Sequence, residues 1–154
     1  GRGMVRVEDE ELAYRVFRAL ELERAVYYIQ RTLPHDGRDV RAFVVGARVV
    51  AAAERRAPPT ADGRPGWRTN VSRGGTPVRL ALPPDWAALA VEAAAVVGAE
   101  VAGVDLLPAR DGTVYVLEVN GIPGWRGLQT TTDVDIAGTI ADHLLARIAA
   151  RSAA

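Results

Sequence analysis

Residues 101–120, VAGVDLLPARDGTVYVLEVN, hold the feature that most constrains the fold of this chain. Two runs rich in Val and Leu flank Asp111 and Gly112, a pair typical of the tight turn between two antiparallel strands. If these two residues form the centre of the turn, residues whose numbers sum to 223 face each other, as 111 and 112 do. Asp105 then lies opposite Glu118.

This register predicts a cluster of oxygen ligands on one face of the hairpin. Directly opposed residues place their Cβ atoms about 5 Å apart, where two like charges repel each other. By alternation Asn120 shares the face of Glu118 and Val116, and it lies opposite Gly103. Carboxylate and amide oxygens suit Mg²⁺ or Mn²⁺. The pattern therefore favours a metal site made by Asp105, Glu118 and Asn120.

Two other interpretations of the hairpin stay open at this point. A bulge at Pro108 would shift the register by one residue and leave Asp105 and Glu118 as solvated residues. Alternatively, the two carboxyl groups share a proton for acid–base work, although no adjacent His or nucleophile accompanies them. The two histidines, His35 in a turn and His143 in the terminal helix, are interpreted as structural.

The remaining patterns predict an α+β fold, a mainly antiparallel sheet with flanking helices. Apolar spacing and capping signals indicate helices in residues 7–23, 83–98 and 131–154, the last capped by Thr132 or Asp133. Residues 25–33 are β-branched and aromatic, which predicts a strand. Residues 40–54 predict a second hairpin around Gly46 and Ala47. Residues 55–75 are rich in Pro, Gly and Arg and too long for a simple connector, so they are either disordered or functional.

Composition excludes several classes of protein. The chain has 154 residues, the size of one domain, and its 19 basic and 19 acidic residues cancel. That balance argues against a nucleic-acid-binding or membrane-binding protein. The absence of cysteine excludes disulfides, thiolate catalysis and Cys-type metal sites, and it fits a cytoplasmic protein. All 19 basic residues are Arg, so no lysine amine is available.

Four segments in order resemble the ATP-grasp ligases, and most closely the RimK-like α-L-glutamate ligases: GRDVRAFVVGARVVAA, WRTNVSRGG, VAGVDLLPARDGTVYVLEVNGIPGW and DVDIAGTIADHL. The resemblance implies that residues 1–24 are the remnant of the central ATP-grasp subdomain, with the end of its glycine-rich loop and a helix. Residues 25–154 would be the C-terminal subdomain. The opening GRGMVRV then suggests that the sequence begins inside something larger.

The resemblance also implies an activity. Such enzymes use ATP to convert a carboxylate into an acyl phosphate, which an amine then attacks to form an amide or peptide bond. The expected substrates are ATP, a glutamate-like amino acid and a carboxylate acceptor, with two Mg²⁺ or Mn²⁺ ions as cofactors. The resemblance names no particular acceptor and is compatible with a homo-oligomer.

In this family the acids and amide of the hairpin hold the two metal ions, which agrees with the register predicted for Asp105, Glu118 and Asn120. The resemblance places Gln30, Arg31 and Thr32 beside the adenine ring, although the family commonly has an acid where Arg31 stands. Backbone contacts to the adenine ring do not depend on the side chain at this position.

The resemblance further assigns nucleotide contacts to Asp39 and to Arg68, Thr69 and Asn70. Arg41 and Arg68 are the expected catalytic residues. Alternation puts Asp39 and Arg41 on one strand face, and an Arg there can hold a carboxylate or phosphate through two parallel hydrogen bonds. A second hypothesis is a truncated ATP-grasp module that binds nucleotide or a partner without catalysis.

Overall fold

A computed structural model describes residues 4–60, 66, 69 and 76–153. It confirms an α+β fold with an antiparallel five-stranded sheet and flanking helices. In chain order the elements are α1 (Glu10–Leu22), β1 (Arg38–Val45), β2 (Arg48–Arg56), β3 (Thr76–Arg79), α2 (Pro84–Val96), β4 (Val101–Pro108), β5 (Val114–Asn120), α3 (Arg126–Gln129) and α4 (Ile136–Ser152). The strand order is β3-β2-β1-β4-β5. None of the described helices combines the length and apolar character that crossing a bilayer requires.

The chain divides into two compact units, Gly1–Pro34 and His35–Ala154. In the first unit, α1 lies within the predicted range 7–23 and begins at Glu10, because the Asp9 side chain caps it by accepting a hydrogen bond of 2.7 Å from the Leu12 amide. The predicted strand at residues 25–33 is wrong, since these residues form no strand in the structure. Val26, Tyr28 and Ile29 are exposed there, and β-propensity alone does not make a strand without a neighbour to pair with.

The second unit contains the whole sheet. The β1–β2 hairpin has the predicted two-residue turn, in which Val45 pairs with Arg48 and Gly46 adopts a φ of +60°. Glycine reaches this left-handed region without the steric cost that a side chain would bring. Strand β1 is central, paired on one side with β2 and on the other with β4. This arrangement brings residues that are far apart in the sequence onto one sheet face.

One face of the sheet packs against α2. This helix begins with Pro84 in its first turn and ends before Gly98, whose φ is +68°, as the sequence predicts. Its buried residues, Ala90 and Ala94, are small, so the helix lies close to the sheet. The core between them consists of Val40, Ala42, Val44, Ala90, Ala94, Ala102, Val104 and Leu106.

The other face is divided between an apolar half and a polar half. The apolar half is a cluster of Phe43, Val45, Ala51, Ala53, Leu128 and Ile136, with Trp125 and Ile140 packed against it. Helix α4 begins one residue after Asp135, whose Oδ1 accepts a hydrogen bond of 2.9 Å from the Gly138 amide, so the predicted caps Thr132 and Asp133 are wrong. Asp133 instead forms an ion pair of 2.9 Å with Arg79.

Candidate functional site

The β4–β5 hairpin places Glu118 opposite Asp105 and Asn120 opposite Gly103, as the sequence predicts. The predicted turn is nevertheless wrong. Its loop has three residues, 110–112, because the Ala109 amide donates a hydrogen bond of 2.9 Å to the Thr113 carbonyl. The register near the turn is therefore shifted by one residue, and an irregularity between Asp105 and Leu106 restores it.

That irregularity also changes the predicted faces of β5. Val116 pairs with Leu106, which belongs to the core under α2, whereas Glu118 pairs with Asp105 on the opposite face. The prediction that Val116 shares the face of Glu118 and Asn120 is therefore wrong. A bulge adds one residue to one strand and so reverses the alternation beyond it.

A row of charged residues crosses the polar half of the second face. Arg41 of β1 pairs with Ala53 of β2 on one side and with Asp105 of β4 on the other, and Asp105 pairs with Glu118 of β5. Arg41 Nε lies 2.7 Å from Asp105 Oδ1, and Arg41 Nη2 donates a hydrogen bond of 3.1 Å to Oδ2. The buried carboxylate of Asp105 therefore has a cation on one flank and an acid on the other.

Gly103 provides the space in which the Arg41 guanidinium lies. A Cβ atom at this position would collide with Arg41 Nη1 and would lie 2.9 Å from Pro123 Cβ. Nη1 is buried and has no hydrogen-bond partner among the residues the structure describes. A buried donor without a partner is costly, which favours a site where a ligand oxygen would complete it.

Arg55 is a residue that sequence reasoning missed. Its Nε and Nη2 donate hydrogen bonds of 2.7 and 2.6 Å to the two oxygens of Asp39, and Nη2 also lies 2.9 Å from Asp105 Oδ2. Thr69 Oγ1 donates a further hydrogen bond of 2.5 Å to Asp39 Oδ2. The only signal in the sequence was that Arg55 follows an apolar run at the end of a strand, which does not reveal its partners across the sheet.

The charges of this network act on one another. Burial disfavours the charged form of Arg55, but hydrogen bonds to Asp39 and the charge of Asp105 raise its pKa above the ordinary value. Burial raises the pKa of Asp105, and the guanidinium groups of Arg55 and Arg41 act in the opposite direction. The formal charges of two acids and two guanidinium groups therefore cancel within one network, which consists of Asp39, Arg55, Asp105 and Arg41.

Glu118 and Asn120 stand at the open side of this network. Glu118 is exposed, and among the described residues its carboxylate has neither an ion pair nor a hydrogen bond. Asn120 is partly buried, and its Oδ1 accepts a hydrogen bond of 2.9 Å from the Ile122 amide. Its side chain is thus held at the end of β5, with lone-pair capacity left on the oxygen.

The donor set fits a hard divalent cation. No group of three or more His, Cys, Asp or Glu side chains capable of holding a metal occurs in the described part of the chain. The predicted set consists of two acids and an amide, so it is not a group of that kind. Asp105 Oδ1 lacks a hydrogen-bond donor of good geometry among the described residues, and Glu118 is unpaired there. Oxygen atoms with unused lone pairs are what Mg²⁺ and Mn²⁺ require.

The other predicted site residues fall into two groups. Gln30, Arg31 and Thr32 are exposed and belong to the first unit of the chain. Arg68 and Asn70 lie outside the described residues, so their predicted roles stay predictions. Thr69 between them is buried and contacts Asp39.

Comparisons with known proteins agree with the resemblance carried by the four segments. Residues 1–144 match a protein family described as the RimK-like ATP-grasp domain. The chain is 38% identical over 146 residues to a "Probable alpha-L-glutamate ligase 2" of Hahella chejuensis, which covers 94% of this chain and 46% of that protein. It is 39% identical over 145 residues to a "Probable alpha-L-glutamate ligase" of Methanococcoides burtonii, with the same two coverages. The chain therefore spans about half the length of these curated relatives.

The solved structures of similar fold include ATP-grasp ligases. The ligase PsnB, in complex with a phosphomimetic variant of its minimal precursor, Mg and ADP, superposes with a TM-score of 0.57 at 26% identity, over 74% of this chain and 33% of that one. A RiPP-associated ATP-grasp ligase of Chryseobacterium gregarium, in complex with ADP and a leader and core peptide, gives a TM-score of 0.59 at 23% identity, over 77% and 35%. The latter likeness shows the fold alone.

Proposed function

Because this chain belongs to the RimK-like ATP-grasp family, we propose that it forms the metal- and nucleotide-binding part of an ATP-dependent carboxylate–amine ligase. In this reaction a carboxylate oxygen attacks the γ-phosphorus of ATP, which gives an acyl phosphate and ADP. The nitrogen of an amine then attacks the acyl carbon, and inorganic phosphate leaves as the amide bond forms. The names of the relatives favour glutamate or a similar amino acid as one substrate.

The observation that carries this proposal is the row Arg41, Asp105 and Glu118, with Asn120 beside it, on one sheet face. Asp105, Glu118 and Asn120 would hold the Mg²⁺ or Mn²⁺ ions, of which we propose two. Bound there, divalent ions would neutralise charge on the phosphate oxygens. These oxygen donors come from neighbouring strands of one sheet, so the backbone itself sets their spacing.

Arg41 is the proposed catalytic residue of the described part of the chain. Its Nη1 donor has no described partner, and its other nitrogens are fixed by Asp105. A guanidinium held in this way stabilises negative charge on an oxygen without having to reorganise during the reaction. We also propose that Arg68 and Asn70 contact the triphosphate and that residues 30–32 contact the adenine.

A second candidate function is nucleotide binding without catalysis. The ion-pair network favours it, because both guanidinium groups already have carboxylate partners. The absence of lysine favours it too, since no lysine ammonium group of this chain can contact the phosphates.

The two candidates differ in whether ADP is formed. We would incubate the chain, and any longer protein that contains it, with ATP, Mg²⁺, glutamate and a panel of carboxylate acceptors, and then measure ADP release and product mass. A ligase gives ADP together with a product heavier by one dehydrated amino acid. Glu118→Gln should abolish both, whereas Glu92→Gln, a change of an exposed acid on α2, should abolish neither. Nucleotide binding without ADP under every condition would support the second candidate.

A further inference from the structure

The resemblance assigns Asp39 and Thr69 to the nucleotide, but their contacts point to a different role. Both oxygens of Asp39 already accept hydrogen bonds from Arg55, and Oδ2 accepts a third from Thr69. The Asp39 side chain is only 3% exposed. We propose that Asp39 and Thr69 are positioning residues that act through Arg55 on the metal ligand Asp105, an inference that rests on the proposed function.

Arg55 is the link between the two carboxylates. Its Nη2 lies 2.6 Å from Asp39 Oδ2 and 2.9 Å from Asp105 Oδ2, so one nitrogen bridges two acids on neighbouring strands. All three side chains are buried, which excludes water as a competing partner and strengthens their interactions. The orientation of the Asp105 carboxylate is therefore coupled to that of Asp39.

The charge of Asp39 determines how strongly Arg55 holds Asp105. With Asp39 ionised, Arg55 shares its charge between two carboxylates. Without that charge, Arg55 and Arg41 together face Asp105 as their one remaining acid within the network. Two guanidinium groups would then compete with a divalent ion for the same carboxylate oxygens.

Thr69 holds Asp39 at the end of the network opposite Arg41. It lies in the connection between β2 and β3, and its hydroxyl donates to Asp39 Oδ2, the same oxygen that Arg55 Nη2 contacts. Loss of the hydroxyl would leave that oxygen with one donor fewer, and Arg55 would be drawn toward Asp39. Arg55 would then hold Asp105 less tightly, which is the opposite of the effect of removing the Asp39 charge.

The test is the gain in ADP affinity that Mg²⁺ provides, measured by calorimetry as the ratio of the dissociation constant in EDTA to that in Mg²⁺. Residues that orient metal ligands typically change metal affinity by about 10–100-fold when removed. We expect Asp39→Asn to lower the ratio by about tenfold, because Arg55 then competes with the metal for Asp105, and Thr69→Val to raise it, because Arg55 then moves toward Asp39. The dissociation constant in EDTA should stay unchanged in both variants.

Two variants serve as controls. Thr69→Ser keeps the hydroxyl and should restore the ratio of the unaltered chain. Glu54→Gln removes the charge of another buried acid, which lies in β2 rather than β1. Glu54 pairs with Arg38 and Arg56 and stands opposite Val40, on the sheet face that packs against α2. This substitution matches Asp39→Asn in the burial of the residue and in the change of charge. It should leave the ratio unchanged, because Glu54 does not contact the network.

The outcomes separate this inference from the proposed function. A ratio of one in the unaltered chain would overturn the metal site itself, and this inference with it. A ratio above one that neither Asp39→Asn nor Thr69→Val changes would overturn the inference alone. If Asp39→Asn fails to fold, the ratios of Thr69→Val and Thr69→Ser are compared instead. Equal ratios for these two variants would contradict the role of the Thr69 hydroxyl and overturn the inference.

Discussion

Substitution of Gly103 by alanine tests how tightly the Arg41 guanidinium fits into the sheet. The added Cβ would lie 2.9 Å from Pro123 Cβ, whereas carbon atoms in favourable contact are about 3.5–4.0 Å apart. It would also collide with Arg41 Nη1, so the guanidinium has to leave its place beside Asp105. Both contacts must be relieved at once, in a strand that is paired on both sides.

Overpacking of this kind typically costs about 1–3 kcal/mol. For a chain of this length each kcal/mol corresponds to about 2–4 °C in melting temperature. We therefore expect Gly103→Ala to lower the denaturant concentration at the unfolding midpoint clearly. We also expect it to lower turnover per folded molecule, because the Arg41 guanidinium is displaced from its place beside Asp105. Denaturant titration monitored by tryptophan fluorescence measures the first effect, and ADP release per folded molecule measures the second.

Gly121→Ala is the matched control for this substitution. Gly121 directly follows β5, and a Cβ there would meet nothing within 4 Å. It should therefore change the free energy of unfolding by no more than about 0.5 kcal/mol. If Gly103→Ala and Gly121→Ala unfold at the same denaturant concentration, then Arg41 and Pro123 adjust freely and the reasoning about this space is refuted.

Three further predictions concern charge and metal. Glu118→Gln should abolish turnover but leave the melting temperature of the metal-free chain nearly unchanged. The reason is that Glu118 is exposed and that Arg41 and Arg55 already neutralise Asp105. Marked destabilisation with normal turnover would contradict this prediction. ATP should bind more tightly in Mg²⁺ than in EDTA by calorimetry, and equal affinities would contradict the metal site. Burial raises the pKa of Glu54, but hydrogen bonds from Arg56 and Arg38 outweigh burial and hold this pKa below its ordinary value. The stabilisation that Glu54 provides is therefore present above the ordinary pKa and is lost as the pH falls through the lowered pKa. Glu54→Gln should weaken the acid dependence of the unfolding free energy, and an unchanged dependence would contradict the ion pairs.

Local signals in the sequence were sufficient to predict most helices, strands and turns of the second unit of the chain. Gly46 and Gly98 mark the turn and the helix end at which they stand, because each adopts a positive φ that glycine tolerates. The pairing of Asp105 with Glu118 was also predicted correctly, but for an incomplete reason. A three-residue loop and a bulge each shift the register by one residue, and the two shifts cancel at the site.

The ion-pair network could not be predicted in the same way. Asp39, Arg55 and Asp105 come from three strands, and Arg55 is 50 residues from Asp105 in the sequence. Periodicity indicates which face a side chain occupies but not which partner it reaches across an intervening strand. The strand predicted at residues 25–33 failed for a related reason, since β-propensity reports packing against neighbours that the local sequence does not specify.

The location of a bound ion tests the central claim most directly. With ADP present, substoichiometric Mn²⁺ added to ¹⁵N-labelled chain broadens the backbone amide signals nearest the ion. The account predicts that the amides of residues 103–106 and 117–121 broaden first, and that Glu118→Gln strongly reduces this broadening. Selective broadening around Glu92, an exposed acid on α2, with none at residues 103–106 and 117–121, would contradict a metal site at the end of β5.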